Sequence, residues 1–282
     1  MSVRAGCYVI AEAGINHNGS IETAFDLVDA AADAGCDAVK FQKRTVEKVY
    51  SADELGRLRP NPFGETNGDL KRGLELDVAA YERLFAKSAS RGIDCLASVW
   101  DETSVEVVAA LRPRFLKMPS PLIRHTRLLA ACRQSGIPVI LSTGGADLEA
   151  VREAVRILGD SLSVVMHCVS AYPCPDDQVN LRQMVTLSET FGLPVGYSSH
   201  DLGPHAVWAA VALGAIVIER HITLDRGMWG SDQAMSTEPA GLLELVQGVR
   251  AIETVLGSPD VVTLPAEGAA IAKLARAEDV SA

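Results

Sequence analysis

PVGYSSHDLGPHAVWAAVALGAIVIERHI, residues 194–222, places two strand-length apolar runs, 194–200 and 215–222, on either side of one helix-length run, 204–213. Strands apolar on both faces belong to a parallel sheet covered by helices. Such strands have little use for ionisable side chains, yet both runs carry histidine at their carboxyl ends, His200 and His221. The stretch reads as one strand–helix–strand unit with chemistry at the strand ends.

The same unit repeats along the chain. Strand-like runs fall at 8–14, 37–42, 94–98, 115–120, 138–144, 163–170, 194–200 and 215–222. Helix-like runs fall near 20–34, 78–91, 102–111, 125–135, 147–158, 180–191, 204–213 and 238–256. Gly35, Gly92, Gly136 and Gly192 close helices, and Pro138 and Pro194 open strands. Strand and helix alternating eight times predict an α/β fold, a (β/α)8 TIM barrel, over residues 1–257. An open doubly wound sheet would usually show a glycine-rich nucleotide turn after an early strand, and AEAGINHNG (11–19) lacks that spacing. Residues 43–77 are too long for a routine connection and read as a lid or a surface excursion. Residues 258–282 read as a short tail ending in a frayed helix.

Composition limits the function. A chain of 282 residues, 48% hydrophobic, can bury one large core. Its net charge of −10 excludes a nucleic-acid partner of the ordinary basic kind. The apolar run from Cys7 to Ala11 is cut by Glu12 and is too short to span a membrane, so a cytoplasmic protein with no membrane partner is expected. Six cysteines without a CxxC pair read as reduced core residues. GxSxG, HExxH and P-loop patterns are absent from the sequence.

Barrel geometry sharpens the polar residues. Side chains two apart share a strand face, so Lys40 and Gln42, Ser198 and His200, and Glu219 and His221 can each point into the barrel mouth. The seventh and eighth strands are neighbours, and two imidazoles there suit a divalent transition metal acting as a Lewis acid. Lys40 and Lys117 stand inside apolar runs, where an ammonium needs an anionic partner. That partner is either a buried carboxylate, Glu12 or Glu219, or a phosphate or carboxylate ligand helped by Ser98, Ser120, Ser142 and Ser198. Glu12 is a candidate for acid or base work or for an internal salt bridge. Asn16–Gly19, with His17, reads as a turn. Arg220 has the opposite parity to His221 and should pair toward the helices; His125 and His205 should lie at the surface.

EAGINHNG (12–19), AVKFQ (38–42), KMPS (117–120), ILSTG (140–144), HCVSAYPCP (167–175), NLRQM (180–184), GYSSH (196–200), LGAIVIERHITLDR (213–226) and GSD (230–232) together resemble the sialic acid synthase family. The resemblance runs from residue 8 to about 257. It implies a transferase-type synthase that condenses phosphoenolpyruvate with an aldose, N-acetylmannosamine or a divergent sugar, giving a 3-deoxy-2-keto sugar acid and phosphate. It implies manganese, with magnesium or cobalt as alternatives, held by His200 and His221. It further implies phosphoenolpyruvate on Lys40, Ser98, Lys117, Ser120, Ser142 and Ser198, and the acceptor against Glu12, Gln42, Tyr172 and Asp232. A homodimer is also implied.

Three features depart from that pattern. Leu122 stands where the family commonly has an acidic residue, and SSH (198–200) replaces its SDH, with Asp201 following. The family's small antifreeze-like domain is not expected in this chain. Two other classes use parts of the same residue set. A metal-dependent barrel hydrolase or lyase needs the histidine pair without both lysines, and a silent sugar-binding homologue binds without turnover.

Overall fold

The computed structural model describes residues 6–274. Eight parallel strands close into a barrel: β1 (Tyr8–Gly14), β2 (Ala38–Lys43), β3 (Asp94–Val99), β4 (Leu116–Met118), β5 (Val139–Ser142), β6 (Leu162–Cys168), β7 (Val195–Ser199) and β8 (Val217–His221). They pair in chain order, and β8 returns to β1 with His221 opposite Glu12. Around them stand α1 (Ile21–Asp33), α2 (Val78–Ser90), α3 (Glu102–Ala110), α4 (Thr126–Gln134), α5 (Leu148–Leu158), α6 (Arg182–Phe191), α7 (His205–Ala212) and α8 (Pro239–Leu256). This is the barrel expected from the strand–helix repeat.

Local chemistry sets the helix limits. Ser20, Asp77, Asp101 and Asp147 each accept a backbone N–H of the first turn, capping α1, α2, α3 and α5. At the far end of α6, Gly192 turns the chain with a φ of 63°, a left-handed conformation that costs glycine little. On α1 the buried residues Ala24, Leu27, Val28 and Ala31 follow the 3.6-residue period and form the face that meets the sheet.

Two cores result. The larger lies between strands and helices, and the smaller fills the barrel interior with Tyr8, Ile10, Ala38, Leu96, Phe115, Ile140, Val164, Met166 and Val217. Continuing each strand at its inward parity converts filler into chemistry. Ile10 is followed by Glu12, Ala38 by Lys40 and Gln42, Phe115 by Lys117, and Val217 by Glu219 and His221. The bottom of the barrel is therefore a packed core and its carboxyl end a polar floor.

Gly196 belongs to this interior. A Cβ there would lie 2.5 Å from the main-chain oxygen of Val217 and 3.2 Å from Met166 Cε. Main chain cannot step aside, so Gly196→Ala is expected to cost about 1–3 kcal/mol. Differential scanning calorimetry checks this; an unchanged melting temperature contradicts the packing.

The fourth strand is shorter than the expected 115–120. Pro119 has no N–H to continue the ladder, and the chain passes into a 3-10 turn, Ser120–Leu122. The long connection after β2 folds into short helices, Val46–Val49, Ala52–Gly56 and Asn67–Gly73, and a hairpin of Leu58–Asn61 with Gly64–Thr66. In the tail, the helix Gly268–Leu274 is present and exposed, and the expected frayed end lies outside the described residues. All six cysteines are buried and free, and burial pushes the thiols of Cys36, Cys95 and Cys132 up to about 12. No helix among the described residues is long and apolar enough to cross a membrane.

Candidate active site

A cavity of about 320 Å³ opens at the carboxyl ends of the strands, and every side chain singled out in the sequence for catalysis, substrate or metal lines it. A larger cavity, about 590 Å³, lies beside it against α5 and α6, but apart from the shared Cys168 its only titratable lining group is His167. The smaller cavity is the candidate site because it gathers Lys40, Lys117, Arg44 and Lys71 with Glu12, Glu219, Asp232 and two histidines.

Its floor is an ion network. Lys40 Nζ lies 2.5 Å from Glu12 Oε2 and 3.7 Å from Glu219 Oε1, and Lys117 Nζ lies 3.3 Å from the same Glu219 oxygen. Lys117 also donates to Ser142 Oγ at 2.7 Å, Ser198 to Glu219 at 3.1 Å, and Gln42 Nε2 to Glu12 at 3.0 Å. The internal salt-bridge alternative for the lysines is thus realised: each ammonium has a carboxylate before any ligand is considered. Burial disfavours the Lys40 charge, but Glu12 and Glu219 outweigh it and raise its pKa. Burial likewise opposes ionisation of Glu219, and Lys117 and Lys40 overcome it, holding that carboxyl down at about 2. For Glu12 burial prevails, with Glu219 adding to it against Lys40, and its pKa is raised. Glu219 is the hub of the network, the role of lysine partner that the sequence had left open between it and Glu12.

The histidines meet above this floor, their ring centroids 5.6 Å apart, with the Tyr172 ring 4.2 Å from that of His200. Burial pushes both imidazoles down to about 4, so they are neutral at physiological pH. His200 Nδ1 lies 2.7 Å from the carbonyl oxygen of Val169, which only accepts. Nδ1 therefore carries the proton and Nε2 keeps its lone pair. His221 Nδ1 is buried without a hydrogen-bond partner among the described residues. Two neutral imidazoles with free nitrogen fit a divalent ion that keeps positions open for water and substrate. Among the described residues no group of three or more His, Cys, Asp or Glu side chains could hold an ion.

Behind His200, Asp201 accepts from Tyr197 Oη at 2.6 Å and Ser199 Oγ at 2.7 Å, and Arg220 lies 3.6 Å from its second oxygen. Arg220 also donates to Thr237 Oγ1 at 2.8 Å, so it pairs on the helix side as its parity predicts. A carboxylate after the histidine thus braces the strand end where Ser199 replaces an acidic residue. Leu122 packs against the outer core and does not line the cavity.

His17 sits in the expected turn, its Nδ1 accepting from Gly19 N at 3.1 Å. His125 caps α4 from the surface, and His205 pairs with Asp176 at 3.2 Å. Burial, with the Arg44 charge adding, pushes the His17 imidazole down to about 4. The fold therefore favours the neutral ring. Its contribution is complete above pH 6.5 and is lost as pH falls toward 4, on the order of 3 kcal/mol across that window. Between pH 6.5 and 4, stability measured by urea unfolding should fall less steeply for His17→Gln than for the parent, and equal slopes contradict this.

The lining residues that sequence reasoning missed are informative. Arg44 continues the parity of Lys40 and Gln42, a signal that was available. Tyr50 and Lys71 come from the excursion after β2, where no period marks which side chains turn inward.

A sequence model of the NeuB family matches residues 27–260. The N,N'-diacetyllegionaminic acid synthase of Legionella pneumophila is 40% identical, with 89% of this chain and 74% of that protein covered. The N-acetylneuraminate-9-phosphate synthase of Homo sapiens is 36% identical, with 96% and 77% covered. Among solved structures, N-acetylneuraminic acid (sialic acid) synthetase from Leptospira borgpetersenii superposes with a TM-score of 0.85 at 30% identity, covering 95% of this chain and 91% of that one. A truncated 3-deoxy-D-arabino-heptulosonate 7-phosphate synthase from Thermotoga maritima, 15% identical with a TM-score of 0.68 and 90% and 89% covered, shares the fold. By the family match across residues 27–260 and the identity to these relatives, the chain belongs to the NeuB family.

Proposed function

We propose that the protein is a synthase that condenses phosphoenolpyruvate with an aldose to give a 3-deoxy-2-keto sugar acid and inorganic phosphate. One observation carries the reading: in a chain whose relatives are sugar acid synthases, a neutral imidazole pair and a buried ammonium pair face one cavity. The histidines suit the aldehyde and the lysines suit the phosphate.

In the reaction, C3 of phosphoenolpyruvate bonds to the aldehyde carbon, water adds at C2, and the bond from C2 to the phosphate oxygen breaks. Water gives up both protons, one to the aldehyde oxygen and, as the C2 hydroxyl becomes the ketone, one to the departing phosphate. His200 Nε2 and His221 would hold a divalent ion, which when bound would supply Lewis acidity toward the aldehyde oxygen. Manganese is the proposed ion, with magnesium or cobalt as substitutes. Lys40 and Lys117 bind phosphoenolpyruvate oxygens and stabilise the departing phosphate, and the hydroxyls of Ser98, Ser120, Ser142 and Ser198 orient them. Glu12 has a raised pKa beside Lys40, which suits it to hold the proton moved between water and the aldehyde oxygen. Gln42, Tyr172 and Asp232 face the acceptor. The reading includes a cytoplasmic homodimer.

The test is product stoichiometry. Phosphoenolpyruvate with N-acetylmannosamine and a panel of aldoses, analysed by mass spectrometry, should yield keto acid and phosphate one to one with the best acceptor. Equal phosphate release without any aldose would replace this reading with a hydrolase.

A further inference from the structure

The larger cavity, about 590 Å³, differs from the candidate active site in kind. It is lined by α5, α6 and the ends of β5 and β6. Asp, Glu, Lys and Arg make up 22% of the chain, yet none of them lines this cavity. Burial also pushes the pKa of its one imidazole, His167, down toward the neutral form. Leu148, Val151 and Leu187 supply an apolar wall. Gln178 and Gln183 bring side-chain amides that make no hydrogen bond among the described residues, so both can turn to an occupant. An ion would lose water here without gaining a counter-charge. An uncharged molecule can bury an aliphatic face and pair its own amides with the carboxamides. The volume is that of an ordinary small-molecule site.

The inner wall of this cavity is also the support of the active site. Val169 lines the cavity, and its carbonyl oxygen lies 2.7 Å from His200 Nδ1. Cys168 lines both cavities, with Sγ 3.1 Å from Ser120 Oγ. Ser142 faces the active site and the next residue, Thr143, faces the larger cavity. His167 stacks on Tyr197 at 5.9 Å, and Tyr197 donates to Asp201 behind His200. The wall has no slack. Gly144 N donates to Ser120 Oγ at 3.0 Å, and a Cβ on Gly144 would lie 2.5 Å from Ser170 Oγ and 2.9 Å from Cys168 Sγ.

We propose that the larger cavity is a second binding site, for an uncharged small molecule that joins amide groups to an aliphatic face, and that its occupant is coupled to His200 and the active-site serines. An unfilled cavity leaves its lining without contacts on one side. An occupant supplies them and holds segments 143–146 and 167–169 where they make the bonds above. Two distinct sites with one wall in common meet the requirement for such coupling. The effect on phosphoenolpyruvate rests on the synthase reading above, whereas the site and its link to His200 do not.

N-acetyl-leucinamide, with two amides, an isobutyl group and no charge, is the probe, and N-acetyl-leucine is its carboxylate counterpart. Calorimetric titration into the full chain should show the amide bound about tenfold more tightly than the carboxylate. Gln183→Trp, at an exposed position of α6, blocks the cavity and should abolish binding without lowering the melting temperature. Should that variant melt early, Gln183→Ala should weaken binding about threefold or more. When the amide saturates the parent, the Nδ1–H proton signal of His200, identified by its absence in His200→Gln, should shift. Phosphoenolpyruvate with manganese should then bind about fivefold more tightly, and the probe should gain by the same factor from phosphoenolpyruvate. Absent binding, equal binding of the two probes, or binding that survives in folded Gln183 variants overturns the site. A His200 signal that stays in place at saturation, or phosphoenolpyruvate that binds unchanged, overturns the coupling. Phosphoenolpyruvate that fails to bind with or without the probe counts against the synthase reading, and the His200 signal then decides the coupling.

Discussion

His221→Ala is expected to abolish release of phosphate from phosphoenolpyruvate and aldose, by about a thousandfold or more. An ion acting as Lewis acid, as proposed for this pair, would contribute several kcal/mol, and each 1.4 kcal/mol is about tenfold in rate. With two imidazoles and no group of three ligands among the described residues, removing either would leave the proposed ion held by one side chain. Retention and rate should therefore fall together. The fold should survive, because His221 Nδ1 makes no hydrogen bond to the described protein and the ring lies at the cavity wall. Manganese content by atomic emission and melting temperature, read beside turnover, separate loss of the ion from loss of structure. A variant with full manganese content and full rate contradicts the assignment.

Glu219→Gln should damage stability more than any other single change at the site. The carboxylate serves Lys40 at 3.7 Å, Lys117 at 3.3 Å and Ser198 at 3.1 Å, all buried. Neutralising it leaves Lys40 with Glu12 and takes from Lys117 its carboxylate partner among the described residues. Breaking a buried pair by removing one partner costs about 3–5 kcal/mol, which in a chain of this size lowers the melting temperature by roughly 10 °C. Coupling identifies the cause. Adding Lys117→Met, which removes the stranded charge with similar volume, should restore part of the loss, and calorimetry of the single and double variants gives the interaction. Strict additivity would mean that Glu219 and Lys117 do not depend on one another.

Much of the site was legible because strand parity is a hard constraint. Glu12, Lys40, Lys117, Glu219 and both histidines stand at inward positions that continue an apolar filler, and inward positions of one barrel end must converge. Parity does not decide which charges pair, so the carboxylate partners of Lys40 and Lys117 stayed open until the register placed Glu12 beside both Lys40 and His221. Arg44 obeyed the same parity but lay one step beyond the expected end of its strand. Lys71 obeyed none, because irregular segments have no period from which an inward face can be read. Asp201 was equally opaque: its role follows from bonds to Tyr197 and Ser199 that exist only once the strand end turns.

The central claim is that the imidazole pair and the ammonium pair form one centre for condensation. Phosphate release should be measured with phosphoenolpyruvate and the best aldose acceptor, singly and together, on chelator-treated protein before and after manganese is restored. The account predicts release only when both substrates and the ion are present. Release at the same rate from phosphoenolpyruvate alone, or from the chelated protein, would contradict it.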